Sequence, residues 1–300
     1  MIKQTLYFSN PAYLSLKNDQ LCIKVNPSNK DSQEVTRPIE DIGVIIMDHG
    51  QITITHQAIR ALQRNKSAII SCDDSHMPAG LMLPFNANSL QSKVMKTQLS
   101  ASLPLNKNLW QQTIKAKIHN QIAVLRYYGK NTKRLKVLVE RVQSGDPNNI
   151  EGQASAYYWK TLIDGFVRDQ YGDPPNGMLN YGYAIIRSMV ARAIVASGLH
   201  PTLGIFHKNQ YNAYCLADDI MEPYRPFVDA KVLSICHQKE SLEGFLNKND
   251  RASILSVMTA DAKYGNKKRP LYIGLSMTTA SLVQCYEGKK RKILYPEIIN

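Results

Sequence analysis

Missing from these 300 residues is any Cys-x-x-Cys pair: Cys22, Cys72, Cys215, Cys236 and Cys285 are odd in number and widely spread. That spacing argues against both a zinc knuckle and a disulfide framework, and all five read as reduced, small apolar residues. No apolar run reaches the roughly 18–20 residues needed to span a bilayer. The amino terminus, MIKQTLYFSNP, lacks the uninterrupted apolar core of a signal peptide. A cytoplasmic location is therefore expected, and without a long basic amphipathic helix a peripheral membrane role is set aside. Internal repeats and low-complexity tracts are also absent. Acidic residues are outnumbered, 24 Asp and Glu against 37 Lys and Arg, which gives a formal charge of +13. An excess of this kind on a folded chain points to a polyanionic partner, nucleic acid first.

Hydrophobic residues make up 44% of the chain, enough for one large or two ordinary domains with buried cores. Up to about Phe85 the pattern is short and alternating. In YLSLKNDQLCIKV, Leu14 and Leu16, then Leu21, Ile23 and Val25, recur at period two around Asn18-Asp19, which predicts a β-hairpin. IGVIIMD, QITIT and SAIISCD add β-branched runs, with a helix striped by Ile59 and Leu62 between the last two. After NANSLQSK the period becomes helical: Trp110, Ile114, Ile118 and Ile122 share one face, and Leu135, Leu138, Val139 and Val142 mark a second helix. A third helix begins near Glu151, and a fourth runs from about Gly177 to Ser197 with Gly198 as its stop. The expectation is an α+β protein, with a small β-rich domain over 1–85 and a larger all-α domain over 86–300.

Candidate chemistry lies in three places. Glu151 stands in the first turn of a helix that Asn149 can cap, with the small residues Gly152, Ala154 and Ser155 beside it. An acid there also suits the helix dipole, with no further role. His207 lies in LGIFHKNQ, and His200, ahead of a turn proline, competes with it. The stretch DDIMEPYRP gathers Asp218, Asp219 and Glu222 and then sets Pro223 behind them. Like charges on one turn repel, and proline removes a backbone donor, so a compensating cation is one explanation. A solvated acidic cluster is the other.

Taken together, IEGQASAYYWKTL, LNYGYAIIRSMVARAIVASGLHPTLGIFH and LADDIMEPYRPFVD closely resemble the CRISPR-associated integrase family, the larger protein of the spacer-acquisition module, in its type II form. PIEDIGVIIMDHGQITIT and CDDSHMPAGLMLPF extend the resemblance through the amino-terminal half. The resemblance implies a dimer-forming β-domain, a helical catalytic domain and a divalent-metal site for Mg²⁺ or Mn²⁺. Carried over by position, the family's ligands fall on Glu151, His207 and Glu222, with Asp219 beside the metal and Asn180 a polar neighbour. The implied reaction is attack by the 3′-hydroxyl of a short DNA duplex on a phosphodiester of the CRISPR repeat. Imidazole is a softer ligand than Mg²⁺ prefers, so better activity with Mn²⁺ is expected.

Implied partners are double-stranded DNA (prespacer and repeat), a second copy of the chain, the smaller adaptation protein in a heterohexamer-like integrase complex, and the type II effector nuclease. Candidate phosphate contacts are Lys130, Lys133, Arg134 and Lys136, then Lys267, Lys268 and Arg269, and, on the fourth helix, Arg187 and Arg192. The run GKKRK is a further candidate, and the apolar tail KILYPEIIN behind it reads as a segment that docks on a partner. Two other functions use parts of the same pattern: a metal-dependent nuclease on branched DNA or RNA, and a non-catalytic nucleic-acid scaffold.

Overall fold

The computed structural model describes residues 4–29, 33–169, 172, 174–238 and 246–299. The chain divides into two compact units, Met1–Ser89 and Leu90–Asn300.

The first unit contains β1 (Gln4–Phe8), β2 (Ala12–Lys17), β3 (Gln20–Val25), β4 (Glu34–Pro38), β5 (Ile42–Met47), β6 (Ile52–Ile54), α1 (His56–Arg64), β7 (Ala68–Cys72) and β8 (Pro78–Met82). They form two four-stranded sheets, ordered β1-β5-β7-β8 and β4-β3-β2-β6. The hairpin forms where the alternation places it: Leu14 pairs with Ile23 and Leu16 with Leu21. Its turn residues Asn18 and Asp19 have φ of 49° and 56°, the left-handed pair that a tight I′ turn requires. Thr55 caps α1 by accepting from the Ala58 amide. Leu14, Leu21, Ile42, Ile45 and Leu62 pack in one fully buried core.

The second unit begins with α2 (Gln91–Leu99) and α3 (Leu103–Tyr127), then α4 (Lys133–Arg141), α5 (Ile150–Leu162) and α6 (Asn176–Ala196). It continues with α7 (Cys215–Met221), a 3-10 turn over Glu222–Tyr224, α8 (Arg225–Cys236) and α9 (Lys248–Leu255). Last come β9 (Asp261–Tyr264), β10 (Lys267–Pro270), α10 (Leu271–Tyr286) and β11 (Glu297–Ile298). All four apolar positions of the α3 stripe are buried. The fourth helix ends as expected, with Gly198 at φ 82° just beyond α6.

A small antiparallel sheet, β10-β9-β11, is set into this helical unit. In β9 only Ala262 and Tyr264 alternate inward, and β10 is the basic run KKRP, so a charged surface conceals the strand. The carboxyl-terminal tail differs from expectation. Rather than awaiting a partner, it docks on its own unit: Tyr295 is buried with its hydroxyl 2.7 Å from Thr113 Oγ1. Asn120 of α3 donates to the Pro296 carbonyl and accepts from the Ile298 amide. Apolar tail residues seek the nearest exposed apolar groove, and α3 supplies one within the same chain.

Gly274 on α10 marks the tightest approach in this region. A Cβ there would lie 1.8 Å from Cζ of Tyr264, whose ring is almost fully buried. Gly274→Ala is therefore expected to destabilise the protein by about 1–3 kcal/mol, despite alanine's better helix propensity. Urea unfolding midpoints of the two proteins measure this; equal midpoints would mean that α10 shifts freely.

Candidate active site

Glu151 occupies the first turn of α5, which Asn149 caps as the sequence predicts. Asn149 Oδ1 accepts from the Gly152 amide at 3.1 Å, and the Asp146 carboxylate accepts from the amides of Ile150 and Glu151, each at 2.9 Å. With the first-turn donors satisfied by two other side chains, the Glu151 carboxylate is free to face across the helix surface. There Ser155 donates to its Oε1 at 2.9 Å, and Lys117 Nζ of α3 forms an ion pair with the same oxygen.

Glu222 reaches the same lysine from the opposite side. The α7 helix tightens into the 3-10 turn at Glu222-Pro223-Tyr224 before α8 resumes. Asn120 pins this turn to α3 by donating to the Pro223 carbonyl at 2.8 Å. Glu222 Oε2 lies 2.5 Å from Lys117 Nζ, and Oε1 accepts from Arg225 Nε at 2.8 Å. Burial alone would raise the Glu222 pKa, but the charges of Arg225 and Lys117 and their hydrogen bonds outweigh it, pulling the carboxyl down to about 2. Burial likewise disfavours the Lys117 ammonium, yet Glu222 and Glu151 more than offset that and hold its pKa above the usual lysine value. Two carboxylates thus converge on one cationic locus, on the wall of a cavity of about 500 Å³ that is also lined by Trp159, Arg168 and Tyr183.

Buried Asp229, which also lines this cavity, accepts from the hydroxyls of Tyr158 (3.0 Å) and Tyr183 (2.5 Å). Desolvation outweighs those hydrogen bonds and pushes its pKa up from 3.8 to about 6. The folded state therefore holds this proton more tightly than the unfolded chain, and stability falls as pH rises from about 4 to about 6. A shift of that size corresponds to about 3 kcal/mol. Asp229→Asn should remove the cost, so the stability difference between variant and wild type grows across that pH window and levels off above it. Urea titrations at pH 4.5, 6 and 7.5 check the trend, and a pH-independent difference contradicts it.

The three acids of DDIMEPYRP do not share a cation. Asp218 is gripped by Arg187, with Nε and Nη2 at 2.7 and 2.9 Å from its two oxygens, and also accepts from Asn212. Asp219, fully buried, accepts from the Phe206 amide at 2.9 Å and the His207 amide at 3.3 Å, and lies 2.5 Å from His207 Nδ1. Glu222 alone turns to Lys117 and Arg225. The repulsion is relieved because each acid has its own partners.

His207 is held in its loop by Asp219 and by ring contacts, edge-on to Trp110 and Phe206, which stack on each other with centroids 4.4 Å apart. Its hydrogen bond to Asp219 is the main influence raising its pKa against desolvation, and the charges of Asp219, Glu222 and Asp218 add to it. With Nδ1 engaged by the carboxylate, Nε2 is the nitrogen left for a ligand. Among the described residues no group of three His, Cys, Asp or Glu side chains is gathered as a metal cage. Glu151 and Glu222 are brought together; His207 stands apart from the pair with its own orienting acid. The two oxygen donors about one cationic locus are of the kind a hard divalent ion takes, while the oriented imidazole is not gathered with them.

His200 is exposed, accepting from the Thr202 amide within its turn, while Gln98 bonds its backbone on both sides. Asn180 accepts from Arg168 at 2.5 Å. Lys130, Lys133, Arg134 and Lys136, before and on α4, are exposed, as are Lys267, Lys268 and Arg269 on β10. Arg192 is a correction: it is buried with its guanidinium over Tyr272, so it is not presented to a phosphate. The apolar surround of α6 claims its aliphatic stem, and the tyrosine ring takes the charge. Arg187 is half-committed, since its fork is filled by Asp218.

Sequence reasoning passed over Lys117, Arg225, Arg168 and Asp229. The first had a readable signal: Lys117 lies three residues after Ile114 and on the same side of α3, a lysine in register with an apolar stripe. A charge in that position needs a buried counter-charge.

A family model described as CRISPR associated protein Cas1 matches residues 6–263. The CRISPR-associated endonuclease Cas1 of Neisseria meningitidis serogroup C (strain 8013) is 38% identical over 241 residues, covering 79% of this chain and 77% of that protein. Among solved structures, a casposase bound to integration product superposes with a TM-score of 0.78 at 23% identity, over 98% of this chain and 92% of the other. A Cas6-RT-Cas1–Cas2 complex gives a TM-score of 0.72 at 19% identity, covering 99% of this chain and 36% of that one.

Proposed function

The chain belongs to the Cas1 family of CRISPR-associated proteins, and from that premise we propose that it is a divalent-metal-dependent integrase and endonuclease that inserts short DNA duplexes into a CRISPR repeat. The observation that carries this reading is the convergence of Glu151 and Glu222 on one cationic position at the cavity wall. Mg²⁺ or Mn²⁺ bound there supplies positive charge to the phosphoryl oxygens and lowers the pKa of the attacking 3′-hydroxyl. Glu151 and Glu222 are the residues to hold it, with His207 offering Nε2. Arg225 fixes the Glu222 carboxylate from its far oxygen, and Asp219 fixes the imidazole. Asn120 and Asp146 set the two backbone turns from which the acids project.

Double-stranded DNA is the substrate, approached through the exposed lysines and arginines of α4 and β10. The named relatives support this assignment: one is an endonuclease, and the casposase carries an integration product. A second copy of the chain, paired through the β-rich unit, and the smaller adaptation protein complete the assembly, and the type II effector nuclease assists in choosing DNA. The Cas1–Cas2 complex of similar fold supports the second of these partners. Among the described residues no helix is long and apolar enough to cross a membrane.

The test is strand transfer. Purified protein and its smaller partner, given a labelled prespacer duplex and a supercoiled plasmid bearing the repeat, should join the label to the plasmid in Mn²⁺, more weakly in Mg²⁺, and not in EDTA. Cleavage of DNA without any joined product would replace integration by simple nuclease activity.

A further inference from the structure

Lys117 is the most unusual residue at the site. Its side chain is only 9% exposed, yet it carries an ammonium whose partners are the carboxylates of Glu151 and Glu222, brought from two other elements. A buried cation of this kind costs desolvation that only its counter-charges offset. Two carboxylates facing each other, Glu222 buried and Glu151 partly exposed, carry the converse cost. Each side therefore helps to keep the other charged. Glu222 Oε2 is buried directly against the ammonium, 2.5 Å from Lys117 Nζ.

The Lys117 ammonium thus lies where an ion bridging the two acids would lie, and two cations cannot share that position. Lys117 also lines the cavity, so its flexible stem has open space into which to withdraw. Resting on the metal reading of this site given above, we infer that Lys117 is a resident counter-cation. It holds the Glu151–Glu222 pair together in the metal-free protein and yields its place when a divalent ion binds, turning towards the cavity through which substrate phosphate arrives. Lys117 is then a positioning residue that sets the metal affinity, and the exchange avoids leaving two carboxylates face to face at any stage.

The sign of one substitution separates this role from ordinary support. Mn²⁺ binding, followed by the loss of the free-ion EPR signal, is compared in wild type and Lys117→Met. Both carry a bound duplex ended in 3′-dideoxynucleotides, and a DNA blank is subtracted. Removing the competing ammonium should tighten Mn²⁺ binding by about tenfold, with a larger metal-dependent rise in melting temperature than in wild type. Equal or weaker binding by the variant, alongside clear binding by wild type, overturns the exchange and leaves the metal site standing. No binding by either protein removes the metal reading and this inference with it.

A measurement on wild type alone covers a variant that does not fold. In ¹⁵N-lysine-labelled protein, one slowly exchanging ammonium resonance should be present without metal and should shift or vanish on titration with Mg²⁺. An ammonium signal unchanged by saturating Mg²⁺ overturns the exchange.

Discussion

Glu151→Gln is expected to lower strand transfer by roughly a thousandfold while leaving DNA affinity and folding intact. The side chain is 29% exposed, the helix start is capped by Asn149 and Asp146, and Lys117 retains Glu222 as a partner. Lys117 therefore loses one of its two counter-charges and keeps the more buried one, a small cost to the fold, whereas one of two hard oxygen donors to the cationic locus is lost. Glu222→Gln should abolish transfer as completely and also reduce stability. Its carboxylate offsets the buried Lys117 and the partly exposed Arg225, and the pKa near 2 means that the folded state favours the charged form. The stabilisation from that group is full above the ordinary glutamate pKa and is lost as pH falls towards 2. His207→Ala, with the histidine partly exposed, should match Glu151→Gln in leaving the fold intact and activity low. Electrophoretic binding assays beside the transfer assay distinguish these outcomes. A Glu151→Gln protein that still joins DNA at the wild-type rate would unseat the carboxylate pair as the reaction centre.

How far the sequence foretells this arrangement differs from element to element. Local rules carried the hairpin, because Asn18-Asp19 and the period-two leucines are sufficient to specify a turn and a register. They carried the α3 stripe, the Asn149 cap and the stop at Gly198 for the same reason: each is settled within a few residues. The β9-β10-β11 sheet is not of that kind. Its third strand arrives from beyond α10, and β10 is masked by three consecutive basic residues.

The site divides in the same way. The residue types at 151, 207 and 222 were readable from motifs, but their partners were not. DDIMEPYRP shows that like charges need relief without showing that Arg187, His207 and Lys117 each relieve one of them. Arg192 illustrates the converse, since a basic residue on a long helix has no mark in the sequence that separates a phosphate contact from a cation buried over Tyr272.

Asp219→Asn should cost roughly 1–3 kcal/mol of stability and reduce metal affinity and strand transfer by about 10- to 100-fold. The carboxylate serves three donors at once: the amides of Phe206 and His207, and the His207 ring at Nδ1. Asparagine has one accepting oxygen, so in either orientation its NH₂ group meets a donor, and one buried N–H loses its acceptor. With the NH₂ group in the Oδ1 position the imidazole loses the contact that fixes which nitrogen is presented, although every proposed ligand remains in the chain. A second route reaches the same defect without touching either residue. A Cβ on Gly204 would lie 2.3 Å from the His207 carbonyl oxygen and 2.9 Å from Asp219 Oδ2, so Gly204→Ala must displace the loop that places the histidine. Both variants should bind DNA normally and show weakened Mn²⁺ binding, with Lys117 still paired to Glu151 and Glu222. If Asp219→Asn instead kept full metal affinity and lost only stability, Asp219 would be a loop fastener, and the orientation of His207 would have to come from its packing on Trp110 and Phe206.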